Sequence, residues 1–183
     1  MKRVIIVLII APLIYMLSIG VASFGATKKS ELPNLIKSNL TEKAAELSVK
    51  KVELYNINLK LVLLRYGGKN KTVFQKDFLD VIDDVSNSLQ EVIDLLDYES
   101  QLILTIPHLK DEYKNIFSKI RIEGIRKAKE LMKIKLKYLN YIYSQPEYKS
   151  VLLAVGDPIK TIQSSIELFD KVINDLQFLS KKE

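Results

Sequence analysis

From Phe78 to Ile106 one series of positions recurs at alternating steps of four and three: Phe78, Ile82, Val85, Leu89, Val92, Leu96, Glu99, Ile103 and Ile106. All but Glu99 are apolar. A 3.5-residue average spacing keeps one stripe of a helix facing a neighbour, so the series predicts an amphipathic helix with a continuous seam. The positions between carry Asp77, Asp80, Asp83, Asp84, Glu91, Asp94 and Asp97, an acidic outer face.

The same spacing recurs elsewhere. A helix from about Leu35 to Tyr66 has the seam Ala45, Val49, Val52, Asn56, Leu59, Leu63 and Tyr66, with Asn56 its polar member. A third helix, from about Lys110 to Ser144, carries a wide stripe: Ile116, Phe117, Ile120, Ile125, Ala128, Leu131, Met132, Leu136, Leu139 and Ile142. Gly124 lies within that stripe and offers a place for a close helix crossing. A last helix repeats the spacing at Ile159, Ile162, Ile166, Phe169, Ile173 and Leu176, and Glu147 to Val155 fits one short helix before it.

The breaks between these stretches have local causes. Gly67-Gly68-Lys69-Asn70 ends the first helix, since glycine takes the left-handed conformation without a Cβ penalty. Thr72 is a reasonable cap for the next helix. Pro107 removes a donor and disfavours helical geometry at Ile106, and Pro146 does the same after Ser144. Gly156-Asp157-Pro158 stops one segment and restarts another. Short links make antiparallel neighbours the default. The expected fold is therefore all-α, an up-down four-helix bundle of long amphipathic helices over residues 35–183.

The amino terminus has a different pattern. Val4 to Ala26 contains no charge and follows Lys2 and Arg3. Two readings compete, a cleavable signal peptide cut after Ala22, with Gly20 as the other small residue, and an uncleaved membrane anchor. A helix over this stretch would reach about 34 Å, enough to span a bilayer. Residues 1–26 are thus expected to be an export or anchor segment and residues 27–34 a linker. The expected location is extracytoplasmic, either secreted after cleavage near Ala22 or held in the membrane through residues 4–26.

Composition narrows the chemistry. Glycine (6) and proline (5) are scarce, which suits long helices, and the absence of cysteine excludes disulfides, thiolate metal sites and cysteine nucleophiles. His108 is the single histidine and follows a proline in a turn. A di-iron bundle needs several inward Glu-x-x-His pairs, so none can be assembled, and Asp77, Asp80, Asp83 and Asp84 read as a solvated face. No serine sits in a nucleophile-elbow sequence. No cofactor and no catalytic or metal-binding residue is expected, and the chain is read as a non-enzyme.

Charge is unevenly placed. Residues 73–106 hold one Lys and eight Asp/Glu, whereas residues 27–72 and 107–145 each hold ten Lys/Arg and four Asp/Glu. An acidic helix between two basic ones points to charges used within the fold. The exception to weigh is the row Lys127, Lys129, Lys133, Lys135 and Lys137, followed by Tyr138, Tyr141, Tyr143 and Tyr148, which could contact an anionic surface. For an exported protein, lipid head groups or an envelope polymer are preferred to nucleic acid. Two sequons, at Asn39 and Asn70, matter only in a glycosylating secretory route.

The functional expectation is a non-enzymatic exported or membrane-anchored helical bundle that acts through protein or cell-envelope contacts. The alternative is a small-molecule-binding module with an apolar pocket between helices. Asn56 and Glu99 are the polar seam residues to locate, since such residues set register in helix pairs. A monomer is favoured and a homodimer is the alternative, because heptads do not say whose helix they face.

Overall fold

The computed structural model describes residues 31–66 and 76–181. These form five helices: α1, Glu31–Tyr66; α2, Lys76–Thr105; α3, Asp111–Ser144; α4, Pro146–Val155; and α5, Ile159–Ser180. A 3₁₀ turn, Ile106–His108, joins α2 to α3. There is no strand among the described residues. The expected four-helix bundle is corrected to a five-helix domain: the short stretch before the last helix, which Pro146 starts and Gly156 stops, is a fifth helix of the fold.

Gly156 has a reason to be glycine. Its φ is +152°, and a Cβ there would come within 2.8 Å of Ile57 Cγ1. The turn after α4 thus rests directly on α1. Tyr143 Oη donates to the Gly156 carbonyl at 3.2 Å, Asp157 Oδ1 accepts from the Ile159 amide at 2.9 Å, and Tyr148 stacks on Phe78 at 5.5 Å. That ring pair joins α4 to α2, and Leu152 of α4 is fully buried.

One hydrophobic core runs through the helices. Every member of the Phe78–Ile106 series is buried, and Ser88, Ile93 and Ser100 widen the stripe. On α5, Ile162, Phe169, Ile173 and Leu176 are buried beside Ser165, Leu168 and Val172. α3 departs from expectation: Ile125, Ala128, Met132, Leu139 and Ile142 are buried, but Ile116, Ile120 and Leu131 are exposed. The inward face instead takes Lys114, Ser118 and Ile122.

α1 departs most. Its buried residues are Ile36, Leu40, Ala44, Leu47, Leu54, Asn58 and Leu61, and the expected seam lies outside. Three contacts hold α1 antiparallel to α2: Lys51 Nζ to Asp97 Oδ1 at 2.6 Å, Asn58 Nδ2 to Gln90 Oε1 at 3.1 Å and Arg65 Nε to Asp83 Oδ2 at 2.9 Å. Lys43 to Asp175 at 2.5 Å and Thr161 Oγ1 to Glu53 at 3.1 Å hold its other side to α5. α3 and α5 approach each other more closely than α1 approaches any helix; α1 joins the core through Ile36, Leu40, Ala44, Leu47, Leu54 and Leu61, with the polar contacts flanking them.

The expected membrane segment, residues 4–26, and the Gly67–Asn70 turn with Thr72 lie outside the described residues. Among the described residues no helix is long and apolar enough to cross a membrane. The expectation of a membrane-anchored, transmembrane protein is corrected accordingly for the described residues.

Candidate functional site

Glu99 is 3% exposed on the inner face of α2. Its Oε2 accepts from Arg121 Nη1 of α3 at 3.4 Å, a long contact for a charge-assisted bond. Burial pushes the Glu99 carboxyl above its ordinary range, and the Arg121 charge opposes that only in part. Arg121 also lies over the Tyr98 ring, 5.9 Å from its centroid. Gly124 explains how the guanidinium gets there. A Cβ at Gly124 would stand 2.7 Å from Arg121 Nη2, so the glycine makes room for its own neighbour's side chain. No helix backbone fills that space.

Around this pair, the α3 face is polar. Lys114 bonds Asp111 at 2.5 Å, and Ser118 Oγ and Asn115 Oδ1 are buried without a hydrogen-bond partner among the described residues. The arrangement centres on the Glu99–Arg121 pair, whose side chains are 4% and 12% exposed. His108 is exposed, and no group of three or more His, Asp or Glu among the described residues could hold a metal ion.

The lysine row is divided by the fold. Lys129 pairs with Asp170 of α5, Lys133 with Glu130 at 2.7 Å, and Lys135 with Glu91 of α2 at 2.7 Å. Lys127 and Lys137 are exposed and make no ion pair among the described residues. Two of the five thus pair across helices, and Lys133 pairs within the exposed face of α3.

Open grooves line the sides of α2, two of them of similar size. One, of about 440 Å³, is bordered by Leu61, Val62, Arg65, Tyr66, Asp83 and Ser86. The other, of about 450 Å³, is bordered by Asp84, Glu91, Ile134, Lys135 and Tyr138. Both are crossed by an ion pair and open to solvent, which corrects the expectation of an apolar small-molecule pocket between helices.

Asn56 is exposed, not in a core seam. It belongs to a stripe on the outer side of α1 with Val49 (56% exposed), Val52 (52%), Tyr55 (53%), Leu59 (45%), Val62 (38%), Leu63 (58%) and Tyr66 (66%). At 100° per residue this stripe lies nearly opposite Leu40, Ala44, Leu47, Leu54 and Leu61. α1 is therefore apolar on two faces, and one is covered by the bundle.

No family model, curated protein or solved structure matches this chain. With that, the expectation of an exported protein acting on the cell envelope has no support from relatives, and none from the described helices.

Proposed function

We propose that this domain is a non-catalytic, self-associating helical module whose working surface is the outer face of α1. The observation that carries the reading is the seam Ala45, Val49, Val52, Asn56, Leu59, Leu63 and Tyr66, which keeps heptad spacing across six steps yet is exposed. A helix gains nothing from an apolar heptad turned to water, whereas a second helix laid on it would bury every member. Val49, Val52, Leu59, Leu63 and Tyr66 are each 45–66% exposed, a continuous apolar strip of the kind that marks an interaction surface. A single asparagine among apolar seam positions is the residue that sets register in paired helices.

Sedimentation of the full chain across a concentration series tests this. A concentration-dependent dimer is expected, and Val52→Glu with Leu59→Glu should abolish it while leaving helix content unchanged. A chain that stays monomeric, or a dimer indifferent to the double substitution, overturns the reading.

A further inference from the structure

We infer that two copies pair through α1 in antiparallel fashion, about a twofold axis that passes beside Asn56. The inference rests on the self-association proposed above and specifies its geometry. It follows from three properties of the exposed stripe, each comparing what antiparallel and parallel pairings would bring together.

The first is size. With Asn56 opposite its own copy, the antiparallel layers are Val49 with Leu63, Val52 with Leu59, and Ala45 with Tyr66. Each joins a smaller residue to a larger one, and the smallest meets the largest. An in-register parallel pair would instead stack Ala45 on Ala45 and Tyr66 on Tyr66, a void at one end and a collision at the other. Interiors pack densely, so the alternation favours the antiparallel layers.

The second is charge. The rim of the stripe nearest α5 carries Glu46, Glu53 and Lys60, all exposed. In an antiparallel pair this rim faces its own copy, and Glu53 falls opposite Lys60 twice, once on each side of the axis. Glu53 already accepts from Thr161 Oγ1 at 3.1 Å, which steadies it and leaves acceptor capacity on the carboxylate. In a parallel pair this rim faces the opposite rim, Ser48, Tyr55 and Val62, and no ion pair forms.

The third is the aromatic rim. On the side nearest α2, antiparallel pairing sets Tyr55 against Tyr55 and Ser48 against Val62. Tyr55 is 53% exposed and borders a groove with Lys51, Gln90 and Asp94. Two such rings across a twofold axis are within reach of stacking. The contact is isologous, so it closes at two copies and does not propagate.

The chain contains no cysteine, so introduced thiols report without background. Three single variants of the full chain, Val49→Cys, Asn56→Cys and Leu63→Cys, are treated with a short bis-maleimide. Asn56→Cys is expected to cross-link alone. Val49→Cys and Leu63→Cys are expected to cross-link only when mixed and allowed to exchange. Cross-linking of Val49→Cys by itself would establish a parallel pair, and a dimer that cross-links at none of these positions would place the interface elsewhere. Both results overturn the antiparallel geometry while leaving self-association standing. Absence of dimer by mass fails the self-association reading itself. A second measurement uses charge: Lys60→Glu should weaken the dimer about five- to tenfold at low salt, and Glu53→Lys with Lys60→Glu should restore it. A double variant as weak as the single one would also overturn the proposal.

Discussion

α1 and α2 carry the same heptad grammar and use it differently. On α2 the regular series is the core: Ile82, Val85, Leu89, Val92, Leu96, Ile103 and Ile106 are fully buried. On α1 the more regular series faces out, and the core takes a poorer one. Leu40, Ala44, Leu47, Leu54 and Leu61 share their heptad positions with Lys51, Asn58 and Arg65. Counting apolar positions therefore selects the wrong face of α1. The poorer face is also the one whose polar members match the acidic α2. Lys51 and Arg65 meet Asp97 and Asp83 there, and Asn58 meets Gln90 while accepting from Ser86 at 2.6 Å. The Lys51 bond holds the Asp97 carboxyl below its ordinary range. Regularity marks a face that can pair, but the neighbours decide which face they cover.

The largest effect that could break this comparison lies within α1. Leu54→Ala should destabilise the domain by roughly 2–5 kcal/mol, as should Leu89→Ala on α2, because each leaves a cavity in a fully buried site. Leu59→Ala, five residues along from Leu54, should change the unfolding free energy of dilute protein by less than about 0.5 kcal/mol. Chemical denaturation at low concentration measures all three. If Leu59→Ala cost as much as Leu54→Ala, the inside and outside of α1 would be reversed.

A smaller effect tests how the inner face of α1 is seated. Gly156→Ala should cost about 1–3 kcal/mol, since it combines a positive φ with a Cβ pressed against Ile57. Ile57→Ala in the same background should recover part of that cost by clearing the space. A thermal-melt cycle of the two variants gives the coupling, and strict additivity would remove Ile57 as the obstacle.

The smallest effect concerns the polar members of the two seams. Asn56 faces water and Glu99 is buried. A carboxyl whose folded value lies above its unfolded one holds its proton more tightly when folded. Its contribution to stability is therefore fully present below the ordinary value near 4.5 and is lost as pH rises through the raised folded value. The stability of the native chain relative to Glu99→Gln should accordingly fall as pH is raised from about 4 toward neutrality. Asn56→Asp should show no comparable dependence in dilute protein. A flat difference for Glu99→Gln would mean that Arg121 fully compensates the buried charge.

Much of the fold was legible in local chemistry. Pro107, Pro146 and Gly156 act through backbone geometry alone, so the ends they impose on α2, α3 and α4 need no tertiary information. The stripe of α5 was legible because its opposite face is polar. The lysine row was legible only in part, because which lysines pair depends on where Glu91 and Asp170 arrive from other helices. Gly124 was legible as an opening, but its occupant, the Arg121 guanidinium, was not.

The sequence by itself determined that the described residues form helices, where most of them stop, and which face of α2 is buried, because steric and periodic signals act over one or two turns. Only the tertiary structure decided which of the two apolar faces of α1 joins the core. Both faces satisfy the same 3.5-residue rule. The buried face is the one whose flanking Arg65, Lys51 and Lys43 meet Asp83, Asp97 and Asp175, residues 18 to 132 positions away along the chain.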